Sequence, residues 1–304
     1  MSNLFFRALA IVFLLGSLDT GSANAADIRL SEHPRYGFIL EGTIVPGDYE
    51  KLRRLVEESC PWDTTRPLKH YNVACANGIY LASPGGSVIE AMKIGRLVRS
   101  LRWSTEAPDD HPTELRQIKI TALKLQNPRS NYVCASACFF IFVSGIERNS
   151  WDDKILLSIH RPFMTDADLR ALDANQAMAS ATQIRSIVEV YLKEMNVPAK
   201  YADLMFSISK DQVRWIDEAT YSADFSGLIP ELKDWMNAQC DKRTDTDRRL
   251  QDLLEEKFER GQLTLADKEM RNRLWKQFNV PRIDCELAVK AKMREEAWKA
   301  FQKS

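Results

Sequence analysis

The apolar run Gly78-Ile79-Tyr80-Leu81-Ala82 passes directly into Ser83-Pro84-Gly85-Gly86-Ser87, and then into Val88 to Leu101, where Val88, Met92, Leu97, Val98 and Leu101 recur at helical spacing. A short strand, a turn and a helix in that order leave the chain few options. Pro84 cannot donate to a sheet ladder, and the glycine pair reaches backbone angles other residues avoid, so the strand stops and the chain turns sharply. The helix carries the chain back, and the next strand then runs parallel to the first. This unit predicts an α/β fold.

The same alternation recurs on either side. Residues 36–46 (YGFILEGTIVP) alternate and are rich in β-branched and aromatic types, which predicts a strand, and Asp48 caps a helix from Tyr49 to Ser59. Residues 104–116 are polar and predict a surface loop, and 117–125 (QIKITALKL) alternate like a strand. Cys134 to Val143 reads as one buried helix ended by Gly145, and Ile155 to Ile159 as a buried strand ending at His160-Arg161-Pro162. A long helix follows from Asp166 to Met195, stopped by Asn196-Val197-Pro198. A helix to about Phe206, a strand at Val213–Ile216, a short helix from Thr220 to Phe225 and Gly227-Leu228-Ile229 complete a domain spanning 26–230. From residue 231 to 304 the only glycine is Gly261, and charged residues at helical spacing alternate with Leu250, Leu254, Phe258, Trp275 and Phe278, which predicts an all-α extension with solvated charged faces.

The N-terminus sets the compartment. Arg7 precedes an eleven-residue apolar run, Ala8 to Leu18, which is too short to cross a bilayer core of about 30 Å. Ala23-Asn24-Ala25 offers small residues where a signal peptidase reads, so we expect 1–25 to be a signal peptide, cleaved before Ala26, and the mature chain to be periplasmic or secreted. Six cysteines in an exported chain are expected to oxidise at least in part; they allow 15 pairings. Proximity suggests Cys60 with Cys75 and Cys240 with Cys285. Cys134 and Cys138 stand four apart around a serine, on one face of the expected helix, and a structural role suits them better than redox chemistry, which more usually takes Cys-x-x-Cys.

Lys+Arg 42 balance Asp+Glu 42, a neutrality that argues against binding nucleic acid or a membrane surface through a general field. With 45% apolar residues, disorder is excluded as the main state. His33, His70 and His111 sit in polar contexts without zinc-type spacing, so no metal and no cofactor are expected.

Three segments carry chemistry. The Gly85-Gly86 turn exposes backbone N–H groups without side-chain cover, as an oxyanion site requires. Ser136 opens a helix beside the N–H of Ala137, and His160 closes a buried strand, where it can take the serine's proton. Ser87 reads as a helix N-cap.

Together, and in this order, these segments resemble the proteolytic subunit of Clp-type serine peptidases, within the Clp/crotonase-like superfamily. His160 lies 24 residues after Ser136, and Asp211 a further 51 on, followed by Trp215-Ile216 and Gly227-Leu228-Ile229, which resemble that family's aspartate strand and closing motif. Leu40-Glu41-Gly42-Thr43-Ile44 likewise looks like its first strand. The resemblance covers about 36–229 and is nearest to predicted periplasmic Clp-like proteins with a Cys-x-Ser-x-Cys motif. It implies a repeated ββα core, Ser136 as nucleophile, His160 as general base, Asp211 as its orienting group, and oxyanion donors from Gly85, Gly86 and Ala137. Asp203, Asp217 and Asp224 lie near enough in sequence to compete with Asp211. The charged insertion at 102–130 and the helical extension depart from the family pattern. Substrates would be peptides or unfolded polypeptides; a homo-oligomer is implied, and no ATPase partner is expected outside the cytoplasm. Two other readings stand beside it: a non-catalytic Clp-like binding or assembly module, and an acyl-CoA enzyme, which an exported chain with a Ser-His pair fits poorly. A serine-lysine peptidase would need Lys93, Lys154 or Lys210.

Overall fold

The computed structural model describes residues 25–32, 37–59, 78–109, 117, 120, 121, 123–127, 132–150, 154–162, 173–209 and 211–303. The expected signal peptide, apart from Ala25, and both Cys60 and Cys75 lie outside them. Among the described residues no helix is long and apolar enough to cross a membrane.

β1 (Asp27–Leu30) pairs antiparallel with β2 (Phe38–Glu41), whose four residues are all buried. α1 (Asp48–Ser59) leads toward β3 (Gly78–Ala82), which lies parallel to β2 with Phe38 opposite Ile79. α2 (Val88–Ser100) then crosses to β4 (Ser104–Glu106), again parallel, with Gly78 opposite Ser104. The expected sequence strand-turn-helix-parallel strand is therefore present. Ser87 caps α2 through Glu90 N–H to its Oγ at 3.3 Å. Glu90, itself buried, accepts the Gly47 and Tyr49 N–H groups at 2.9 and 2.8 Å and so ties the start of α1 to α2.

The remaining elements of the core are β5 (Cys134–Ala135), α3 (Ala137–Phe142), β6 (Glu147–Asn149), β7 (Leu157–Ile159), α4 (Ala174–Glu194), α5 (Lys200–Ser207), β8 (Arg214–Trp215), α6 (Glu218–Asp224) and β9 (Gly227–Leu228). One sheet has the order β1-β2-β3-β4-β6-β9, and a second, smaller one has β5-β7-β8. β5 and β7 are parallel, and β8 is antiparallel to β7. The two sheets meet where Ser83, just past β3, forms a parallel bridge with Cys134. The architecture is mixed α/β.

α3 is the centre of the core: all six of its residues are buried. Tyr191 of α4 donates to the Phe140 carbonyl at 2.7 Å, and it passes α2 at Gly95, where a Cβ would meet the Tyr191 hydroxyl at 1.8 Å. At the other end Thr105 Oγ1 donates to the Phe142 carbonyl at 2.6 Å, and Arg99 donates to the Ser144 carbonyl at 2.7 Å and to Asn196 Oδ1 at 2.7 Å. A single guanidinium thus satisfies acceptors at the ends of both α3 and α4, and burial pulls it down to about 10.

Four sequence expectations are corrected here. Ser104–Glu106, expected in a loop, is an interior strand: Thr105 is its one fully buried residue, too short a pattern to register as alternation. The described residues of 117–125 are helix and turn, not strand; Ile120 and Leu123, three apart, pack with Ile39, Tyr80 and Tyr132, and Glu41 fixes the segment by accepting the Gln126 and Asn127 N–H groups at 2.8 and 2.7 Å. Cys134 to Val143 is not one helix, because the chain is paired as β5 through Ala135 and turns at Ser136. The helix expected from Asp166 to Met195 is Ala174–Glu194, with Asp173 and Met195 outside it, and 166–172 lie outside the described residues.

The C-terminal part is all-α, as expected: α7 (Pro230–Cys240), α8 (Asp245–Glu259), α9 (Leu265–Leu274), a π turn at Trp275–Asn279 and α10 (Val280–Phe301). Thr244 with Asp247, and Thr264 with Asp267, form reciprocal capping boxes that start α8 and α9. Cys240 and Cys285 are bridged and hold α7 to α10. α10 returns to the core: Lys290 Nζ lies 2.8 Å from both carboxylate oxygens of Glu147, and Trp298 and Phe301 pack on the main hydrophobic cluster.

Candidate functional site

The three chemically suggestive segments all leave the C-terminal ends of neighbouring parallel strands. Past β3, Ser83 N–H donates to the Val133 carbonyl at 2.7 Å and Ala135 N–H to the Ser83 carbonyl at 3.0 Å, which joins the glycine turn to β5. β5 and β7 share the register Ala135 to Ser158, so Ser136 and His160 each follow the end of one of two adjacent strands. Ser136 N–H donates to the Ser158 carbonyl at 3.2 Å.

The two glycines do different work. Gly85 has φ +108°, and a Cβ there would stand 2.9 Å from Ser136 Oγ, so the bare backbone is what makes room for the serine. Its N–H is occupied, donating to Ser83 Oγ at 3.1 Å. Gly86 bridges Ile44 through its neighbours: Ile44 N–H donates to the Gly85 carbonyl and Ser87 N–H to the Ile44 carbonyl, both at 2.8 Å. In a parallel bridge of this kind the N–H of the central residue points to the opposite side, here the side of β5. The Gly86 N–H makes no hydrogen bond among the described residues, and neither does that of Ala137, the first residue of α3. Gly86 and Ala137 are thus the available donors.

Ser83 was not singled out from the sequence. The signal for it was nonetheless present, since a serine two residues before a glycine N–H favours a side-chain-closed turn.

Ser136 is half-exposed and takes φ +57°, ψ −121°, a backbone conformation that costs an L-residue about 1–3 kcal/mol and recurs where a nucleophile is held out at a strand-to-helix turn. Its side chain caps nothing: Oγ makes no hydrogen bond among the described residues, His160 included. Catalytic hydrogen bonds commonly close only when substrate is bound.

His160 Nδ1 lies 2.8 Å from the Arg161 carbonyl oxygen. A carbonyl only accepts, so Nδ1 is the donor of this contact, and in the neutral ring that tautomer makes Nε2 the basic nitrogen. Asp211 is exposed and precedes β8; because Ile159 pairs with Arg214, it lies toward the end of the β7–β8 ladder at which His160 stands. No hydrogen bond joins it to the imidazole. The competing aspartates have other partners. Asp203 pairs with Arg185, Asp217 caps α6 by accepting the Thr220 N–H at 2.8 Å, and Asp224 accepts from Tyr201 and pairs with Lys200, both at 2.6 Å. Lys93, considered for a serine-lysine mechanism, is held by Glu90 at 3.1 Å; Lys210 lies outside the described residues.

Cys134 and Cys138 are bridged to each other across the Ser136 turn, and both are fully buried. They do not share a helix face, since Cys134 belongs to β5 and Cys138 to α3. No protein-family model matches the chain, and no curated protein matches it.

Proposed function

We propose that this chain is an exported serine hydrolase of the Clp-like kind, cleaving peptide bonds through an acyl-enzyme on Ser136. The observation that carries the reading is the convergence of the Ser83–Gly86 turn, the strained Ser136 turn and His160 at the ends of three neighbouring strands, with Gly85 bare where it faces the serine.

In this mechanism Ser136 Oγ attacks the substrate carbonyl carbon while its proton passes to His160 Nε2. The tetrahedral oxyanion accepts from the Gly86 and Ala137 N–H groups, which need no reorganisation because neither has another acceptor among the described residues. Collapse expels the amine, protonated by His160, and water then hydrolyses the ester by the reverse proton transfers. The Arg161 carbonyl keeps the imidazole in its working tautomer, and Asp211 can join it when substrate closes the site. The disulfides suit an oxidising compartment. Peptides or already unfolded chains are the substrate class.

A fluorophosphonate probe tests this on the mature protein. Wild type should label stoichiometrically on Ser136, and Ser136→Ala and His160→Ala should not. If folded wild type takes no label and cleaves no unfolded polypeptide, the hydrolase reading is wrong, and the fold serves instead as a binding or assembly module.

A further inference from the structure

We infer that the Cys134–Cys138 disulfide is a positioning element for Ser136: it holds the serine in its left-handed backbone conformation, while the surrounding fold stands without it. The inference rests on Ser136 being the nucleophile.

Each end of the bridge is fixed by a separate rigid element. Cys134 is locked in β5, bridged to Ser83 on one side, paired with Leu157 on the other, and donating its N–H to the Leu156 carbonyl at 2.8 Å. Cys138 belongs to α3, which is buried throughout and anchored by Tyr191 at Phe140 and by Thr105 at Phe142. Only Ala135, Ser136 and Ala137 lie between them, and the strain is concentrated at Ser136, with φ +57°.

Two main-chain hydrogen bonds also bear on that conformation. The serine side chain makes no bond to its own turn; Ser136 N–H to the Ser158 carbonyl at 3.2 Å opposes rotation of the Ala135–Ser136 peptide plane, and Phe139 N–H to the Ser136 carbonyl at 3.0 Å ties the next plane to α3. Neither bond joins β5 to α3 across the turn as the disulfide does. Gly85 leaves space for the serine but does not pull it into place. Rotation to an ordinary negative φ would swing both Oγ and the Ala137 N–H away from the glycine turn. The bridge closes that path, because it ties the strand to the helix across the three residues that would have to lengthen or re-route. Both sulfurs are fully buried, as suits a fixed tie and not a surface dithiol.

The test is the double variant Cys134→Ala/Cys138→Ala in the mature chain, set beside Cys240→Ala/Cys285→Ala. Three quantities are measured: the backbone carbon chemical shifts of Ser136, the fluorophosphonate labelling rate and the thermal melt. The first variant should show displaced Ser136 shifts and labelling slowed by about 100-fold, the order that misplacing a reacting group by an ångström produces, and the deficit should persist far below the melting transition. The second should melt earlier yet label within about two-fold of wild type. Should the first variant fail to fold, the same readouts apply to Cys60→Ala/Cys75→Ala/Cys240→Ala/Cys285→Ala protein treated while folded with a phosphine, which converts the bridge to two thiols as it takes oxygen from water. Unchanged Ser136 shifts, or labelling within about two-fold of wild type, overturn the inference. Displaced shifts in a protein whose wild type takes no label leave the positioning role standing and remove the hydrolase reading.

Discussion

A Cβ at Gly85 would stand 2.5 Å from the Cβ of Ser136, and Gly85 also holds φ +108°, so this one position combines a conformational demand with a steric one. The closest atoms belong to the serine and to the Ala135 carbonyl at 2.8 Å, and neither is the end of a flexible side chain. Whatever occupies position 85 therefore decides where Ser136 can be.

Gly85→Ala should accordingly lower fluorophosphonate labelling by at least about 100-fold, because the serine must move by a large fraction of an ångström. It should also destabilise the fold by about 1–3 kcal/mol through the strained φ, read by urea denaturation. Near-normal labelling would mean that the turn and the serine are not coupled.

The imidazole's main-chain partner predicts an unequal response from the two candidate members of the relay. His160→Ala should reduce labelling by about 10⁴-fold, whereas Asp211→Asn, at an exposed carboxylate with no bond to the ring, should reduce it by less than about 10-fold. A loss of about 10⁴-fold on Asp211→Asn would instead show that substrate binding assembles a full triad.

Arg99→Met keeps an apolar stem of similar reach but removes the donors that meet the Ser144 carbonyl and Asn196 Oδ1, while the Met195 carbonyl keeps the Arg148 guanidinium. A buried acceptor left without a partner costs about 1–3 kcal/mol. Stability should fall by about 1–3 kcal/mol through the Ser144 carbonyl, with the loss seen as a lowered urea midpoint at an unchanged slope.

Acid should loosen the C-terminal helices through Asp241. The Arg243 guanidinium, meeting both carboxylate oxygens at 2.8 Å, holds Asp241 well below the usual carboxylate range. A carboxyl depressed in the folded state contributes stability that is complete above its unfolded value of about 3.9 and is lost as pH falls below it toward the folded value. Thermal melts between neutral pH and pH about 3 should therefore decline less steeply for Asp241→Asn, which is already destabilised at neutral pH, than for wild type. Parallel declines would show that other carboxylates govern acid sensitivity.

How much of this was legible beforehand depends on how far each feature is local. The strand-turn-helix at 78–101 was readable because proline, glycine and a helical apolar period each act over a few residues, and the structure reproduces it with Ser87 as the cap. The Cys240–Cys285 pairing followed from proximity alone. Thr105 and the 117–125 segment were misread because their burial is decided by what lies across the sheet: a three-residue strand with one inward side chain leaves no period, and QIKITALKL satisfies alternation while its described residues bury Ile120 and Leu123 at helical spacing against Tyr80 and Tyr132.

At the site, residue types determined the inventory: a glycine turn without side-chain cover, a serine between small residues and a histidine at a strand end. Only the tertiary structure decided their roles. The register of β5 between the Ser83 extension and β7 put Ser136 and His160 on adjacent strand ends, Ser83 took the Gly85 N–H and left that of Gly86, and the bridge from β5 to α3 crossed the serine turn. The first of these is fixed by ladder partners far apart in the chain, and no local pattern of side chains encodes which strand a segment will meet.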